Sequence, residues 1–305
     1  MSEPANQNGN SHPLADLYVA QGHKTICTMG VLWVDVGRFS LTSVPFATKV
    51  AATQEEVDEM LRASGKWAAV FPVSLATGIH SGAFWVRNSD YNDQDLQRQF
   101  RQHVRRSSKT CHVRPIDWVM LRRKGRACNI DTLIRHGSAF SHAMAQSTTW
   151  ERFCDTASAM PDLEAWGCFH GEELLAYLIA WVDGGTCEAL MLHRSEAATQ
   201  FRATHLLFYE FTHAVIRRPR ISGVTMGREW LPQRLSLAQF KKHAGYQIES
   251  MQLAVVLHPA WRPLLGNLNT RVALRFLRRL TAGLSAKVDN LEILEAAACT
   301  RLESH

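Results

Sequence analysis

Apolar positions along this chain follow two periods, one helical and one alternating or continuous. In TQEEVDEMLRAS (53–64), Val57, Met60 and Leu61 recur at helical spacing behind Thr53. Glu56 stands three residues after that threonine, so the segment predicts a helix with a capping box. DQDLQRQFRQHVRRSSK (93–109) sets Leu96, Phe100 and Val104 on one stripe. TTWERFCDTASAM (148–160), THLLFYEFTHAVIRR (204–218) and RLSLAQFKKHA (234–244) predict three further helices. Strands are predicted in 26–45, 67–74, 113–121, 165–170, 174–182, 186–193, 221–226 and 246–258. Asp183-Gly184-Gly185 is a hairpin turn between two of them, and a polar connection, RSEAATQFRA, occupies 194–203.

The predicted elements specify a mixed α/β fold. A polar tail (1–14) precedes a first lobe (15–140), a second lobe (141–265) and a C-terminal helical extension (266–305). The second lobe runs helix, three strands, helix, strand, helix, strand. That order resembles the core of the GNAT acyltransferase superfamily. The block of Gly227, Leu237, Phe240-Lys241, Gly245 and a strand ending at His258-Pro259 is similar to the Fem-type branch, the peptidyl and aminoacyl transferases. FRQHVRRSSKTCHVRPID (100–117) is similar to the Arg/Lys-rich entry of that branch. The resemblance covers roughly residues 90–260. It implies a mixed sheet flanked by helices, in two GNAT-like lobes: a degenerate first and a catalytic second.

Composition and charge narrow the partners. The 305 residues are 46% hydrophobic and 20% charged, enough apolar content for a large core. The longest apolar run, 174–182, is too short to span a bilayer. Seven cysteines with no C-x-x-C pair argue against a disulfide framework or zinc knuckle, and predict a reducing, cytoplasmic setting with cysteines as apolar filler. No metal-ligand spacing occurs among the 14 histidines, so no metal is expected. Of the formal charge of +6, residues 101–126 hold a disproportionate share, nine Lys/Arg against Asp117 alone. Such a cluster suits a phosphate-bearing partner or a solvated helix face.

Acyl transfer to an amine needs a base, donors for the developing oxyanion and a held donor. GNAT proteins hold the cofactor pyrophosphate at a helix N-terminus after the central strand, where main-chain N–H groups point outward. The corresponding stretch here is Gln200-Phe201-Arg202-Ala203-Thr204-His205, in which both glycines of the family pattern are missing. The stretch could equally be a plain helix start capped by Thr204. Acyl-coenzyme A is therefore one candidate donor; aminoacyl-tRNA, used by part of the Fem-type branch, is the other. Four residues before Gly245, the tyrosine common in GNAT proteins is replaced by Lys241, a fixed charge to hold an anion or steady a transition state, with Phe240 as its core anchor.

His193 ends a central strand and Glu229 follows Gly227-Arg228; these join Lys241 as candidate catalytic groups. Arg105, Arg106, Arg228 and Gly227 are candidates for substrate or phosphate binding, arginine offering a bidentate fork. The expected activity is N-acyl transfer from a thioester to an amine of a small molecule or peptide by direct attack. The alternatives are a tRNA-dependent aminoacyl transferase and an inactive module that binds a phosphorylated ligand or RNA. NTRVALRFLRRLTAGL (269–284) predicts an amphipathic helix with a basic face, packed on its own domain or lying on a membrane surface.

Overall fold

A computed structural model describes residues 12–36, 39–74, 79–136, 139–229 and 235–265. The amphipathic segment 269–284 and Cys299 lie outside them. In chain order the elements are α1 (Ala15–Ala20), β1 (Thr25–Thr28), β2 (Val31–Val36), β3 (Ser40–Val44), α2 (Gln54–Ser64), β4 (Ala68–Val73) and β5 (Ile79–Val86). There follow α3 (Arg98–Ser107), β6 (His112–Pro115), α4 (Trp118–His136), α5 (Ala139–Ala145) and α6 (Ser147–Ser158). The chain continues through β7 (Leu163–His170), β8 (Glu173–Asp183), β9 (Thr186–Arg194), α7 (Ala198–Phe201) and α8 (Ala203–Ile216). It ends with β10 (Gly223–Arg228), α9 (Leu235–His243), β11 (Gln247–Leu257) and the short α10 (Arg262–Leu265).

Eleven strands make one mixed sheet in the order β1-β2-β3-β4-β11-β5-β10-β9-β8-β7-β6. Each half contains three antiparallel strands, a crossover helix and a strand parallel to the third. The crossover helix is α2 in the first half and α8 in the second. The last strands are exchanged: β11 pairs with β4 and β5, and β5 pairs with β10. The two halves therefore share one continuous ladder. Gly82 of β5 permits this close pairing, because a Cβ there would run into Ile248 of β11.

Residues 174–181 of β8 are all buried, as expected of a central strand covered on both faces. One face packs against α3, α8 and α9 through Phe100, Phe211 and Phe240. The other packs against α1, α4 and α6 through Leu17, Leu121 and Phe153. In the first half, α2 covers its face through Val57 and Leu61. Its predicted capping box is present: the Glu56 N–H donates to Thr53 Oγ1 (3.3 Å) and the Thr53 N–H to Glu56 Oε2 (2.8 Å).

The short helices α1, α5 and α7 are not among the predicted elements, and two larger elements depart from the sequence reading. The extended segment expected over 113–121 is the strand β6 followed by the start of α4, which Asp117 caps by accepting the Met120 N–H at 2.7 Å. The inner stripe of α4 is Leu121, Gly125, Cys128, Asn129 and Thr132. Its glycine and polar members hide the helical period, while Gly125 fits closely against the Trp150 ring. The strand β5 also went unread, having Gly82 and His80 in place of an apolar run. The cysteines agree with the filler reading: five of the six described are buried, and all six are free thiols.

Candidate functional site

The parallel ladder between β9 and β10 is short. Thr186, Cys187 and Glu188 pair with Gly223, Val224 and Thr225, and the strands then part. Both strands are irregular at this point. In β9, Leu190 is an extra residue in the ladder to β8. In β10 the register to β5 shifts between Thr225 and Arg228, with Gly227 at φ +73°. That left-handed backbone suits glycine. The fork opens into a cleft of about 910 Å³. Ala189–Arg194 line one wall, Met226–Arg228 the other, and the start of α8 with Phe240 and Lys241 of α9 close the end.

Lys241 is 6% exposed and donates from Nζ to the Met226 carbonyl at 2.5 Å, with its ammonium 4.6 Å from the Phe84 ring centre. Burial lowers its pKa from 10.5 to about 8, against the opposing pull of Glu229 and Glu188. Glu188, wholly buried at the fork, accepts the Phe46 N–H at 3.1 Å. Burial raises its pKa to about 7, opposed by that hydrogen bond, Arg228 and Lys241. The buried Arg228 donates to Thr42 Oγ1 at 2.7 Å, tying the fork to β3.

On the opposite wall, His193 is buried with Nδ1 2.5 Å from Asn129 Oδ1. Asn129 Nδ2 donates to the Met144 carbonyl at 3.0 Å, which turns its oxygen toward the imidazole. The Tyr177 hydroxyl donates to the same oxygen. A neutral imidazole facing that acceptor carries its proton on Nδ1 and its lone pair on Nε2.

At the mouth, α8 starts without a side-chain cap. Arg202 is its N-cap residue, at φ +55°, so Thr204 does not cap the helix. The Ala203 and Thr204 N–H groups donate to no acceptor among the described residues. Arg202 and Thr204 line the cleft together with Arg135 and Arg194. Arg135 donates to the Arg194 carbonyl at 3.1 Å, and Arg194 to Thr199 Oγ1. Burial, then Arg135, lowers the pKa of Arg194. His205 lies between Phe100 and Phe240, with its Nε2 3.2 Å from His103 Nδ1; burial lowers its pKa to about 4.

The structure thus brings Lys241, His193, Gly227, Arg228, Arg202 and Thr204 to one cleft. Glu229 stands just outside it, its carboxylate acting on Lys241 through space. The Glu229 N–H donates to the Gly82 carbonyl at 2.7 Å, which extends the pairing of β10 with β5 past Arg228. Gln200, Phe201 and Ala203 do not line the cleft. Gln200 faces a neighbouring surface hollow, Phe201 stacks on His170 at 4.3 Å, and Ala203 is in the core. Arg105 and Arg106 lie on α3 away from the cleft, Arg105 paired with Asp93 at 2.7 Å. Sequence reasoning missed Asn129, Tyr177, Glu188, Arg135 and Arg194. Only Glu188, a lone acid inside an apolar strand, carried a local signal. Among the described residues, no group of three or more His, Cys, Asp or Glu side chains could hold a metal ion. None of their helices is long and apolar enough to cross a membrane.

The fold as a whole is similar to that of solved structures. FemX superposes with a TM-score of 0.53 at 11% identity, covering 82% of this chain and 92% of its own. The chain shares the fold of FemX, in keeping with the GNAT-like mixed sheet flanked by helices. The C-terminal domain of a protein described as a lysylphosphatidylglycerol synthetase from Agrobacterium fabrum gives 0.52 at 12% identity, over 83% of this chain and 89% of that one. L-PGS from Bacillus licheniformis gives 0.50 at 12% identity, over 94% and 93%. No protein-family model matches the sequence, and no curated protein matches it.

Proposed function

We propose that this GNAT-like chain transfers an aminoacyl or acyl group from a phosphate-bearing carrier to an amine in the β9–β10 cleft, with aminoacyl-tRNA as the leading donor. The observation that carries the reading is that His193 and Lys241 line one cleft. The His193 imidazole, held at Nδ1 by Asn129, accepts a proton from the attacking amine. The nitrogen bonds to the acyl carbon, and the Lys241 ammonium stabilises the negative charge that develops on the acyl oxygen. The bond from that carbon to the carrier oxygen then breaks, and the carrier leaves as an alcohol with the proton held by His193.

Arg135, Arg194 and Arg202 form a basic rim that suits carrier phosphates. Several arginines on one rim suit a polyanion such as RNA; Arg123 and Lys124, further along α4, share a hollow with Asp131, Glu172, Glu173 and Glu196 and do not extend it. The solved structure named for lysylphosphatidylglycerol synthesis is consistent with aminoacyl chemistry in this fold. A second donor, acyl-coenzyme A, is favoured by the unbonded Ala203 and Thr204 N–H groups at the start of α8, a setting that attracts a pyrophosphate.

The test incubates the purified chain with a mixture of aminoacyl-tRNAs or with acyl-coenzyme A thioesters, adds a panel of amines, and detects products by mass spectrometry. Product from the tRNA mixture that disappears on ribonuclease treatment supports the leading donor. Product from a thioester alone selects the second. No product from either donor overturns the transferase reading.

A further inference from the structure

Arg228 is buried at the floor of the cleft, only 5% exposed, and one of its guanidinium nitrogens is unsatisfied. Nη2 is held by Thr42, while the enclosed Nη1 has no hydrogen-bond partner among the described residues. Glu188 acts on Arg228 through space but makes no ion pair with it among the described residues; its carboxyl accepts the Phe46 N–H instead. Lys241 is satisfied by a neutral carbonyl. The floor therefore carries two cations, on which the carboxyls of Glu188 and Glu229 act through space, and one guanidinium nitrogen lacks an acceptor. Burying such a group without a partner is costly, and a bound anion removes the cost.

We infer that Arg228 is an anion-binding residue that takes a singly charged group of the acceptor, a carboxylate or a phosphodiester, at the floor of the cleft. The assignment to the acceptor rests on the transferase reading; the anion site does not. The donor phosphates have their own rim at the α8 end, whereas Arg228 stands on the β10 wall. A second negative charge on the ligand would face Glu188, so a monoanion fits better than a dianion.

The experiment measures thermal unfolding of the full chain, without donor, in millimolar N-acetylglycine or dimethyl phosphate. The neutral partners N-acetylglycinamide and trimethyl phosphate are the controls. The expected result is a rise in melting temperature with one monoanion and none with its neutral partner, and the effective anion identifies the source. Arg228→Gln should weaken the anion by about tenfold or more, and Arg62→Gln, on the exposed face of α2 away from the cleft, should leave it unchanged. Where Arg228→Gln does not fold, Arg228→Lys, which keeps the charge and loses the fork, should still weaken it. Equal stabilisation by the neutral partners, no stabilisation by either anion, or full retention in the Arg228 variants overturns the inference. Anion binding without group transfer would instead overturn only the transferase reading.

Discussion

Asn129 Oδ1 lies 2.5 Å from His193 Nδ1, and the other end of the same amide is anchored on the Met144 carbonyl. A residue of α4 thus sets the tautomer of a histidine on β9. Asn129→Leu should lower kcat by about 10- to 100-fold with little change in donor KM. Asn129→Asp should instead move the acidic limb of the pH–rate profile upward, because a carboxylate favours the imidazolium. Steady-state kinetics across pH check both; an unchanged profile in Asn129→Asp would assign Asn129 a purely structural role.

Lys241 makes the wild type gain stability relative to Lys241→Met as pH rises from about 8 to 10.5. In that window the unfolded chain binds a proton that the folded chain has released, so raising pH favours folding. The full difference is on the order of 3 kcal/mol. Chemical denaturation of the two proteins at pH values across the window measures it. Activity should be lost in Lys241→Met at every pH.

Glu188 has the opposite dependence. Its folded pKa, about 7, lies above the ordinary 4.5, so its contribution is present below 4.5 and is lost as pH rises through 7. Glu188→Gln keeps an acceptor for the Phe46 N–H. It should be more stable than wild type above pH 7 by on the order of 3 kcal/mol, with the difference vanishing near pH 4.5. Paired denaturation curves at the two ends of the range give the sign.

Gly245 ends α9 at φ +85°, and a Cβ there would come within 3.0 Å of the Asp95 carbonyl oxygen. Gly245→Ala should cost about 1–3 kcal/mol in chemical denaturation. Because Lys241 belongs to the helix this glycine terminates, the variant should also lose activity.

Arg202 holds the left-handed turn before α8 and lines the mouth of the cleft. Arg202→Glu should raise donor KM by about tenfold or more while leaving kcat within about twofold, and should flatten the salt dependence of binding. Donor titrations at several salt concentrations test this.

Local chemistry in the sequence determined most of the elements and part of the site. Thr53 with Glu56 made a capped helix, the apolar run of β8 a central strand, and the Phe240-Lys241…Gly245 spacing a helix that turns over before a strand. Each depends on neighbours within a few residues. The helix α4 was not legible, because its inner stripe includes Gly125, Asn129 and Thr132, whose places are set by Trp150, Met144 and Arg194 on other elements. Only the tertiary structure exchanged β5 and β11 between the halves, since strand pairing joins main-chain groups far apart in sequence and leaves no local period. The same is true of the site. Lys241 and His193 could be singled out in sequence, but Asn129, Glu188 and the unpartnered nitrogen of Arg228 acquire their chemistry from burial and from partners that only the folded chain brings within reach.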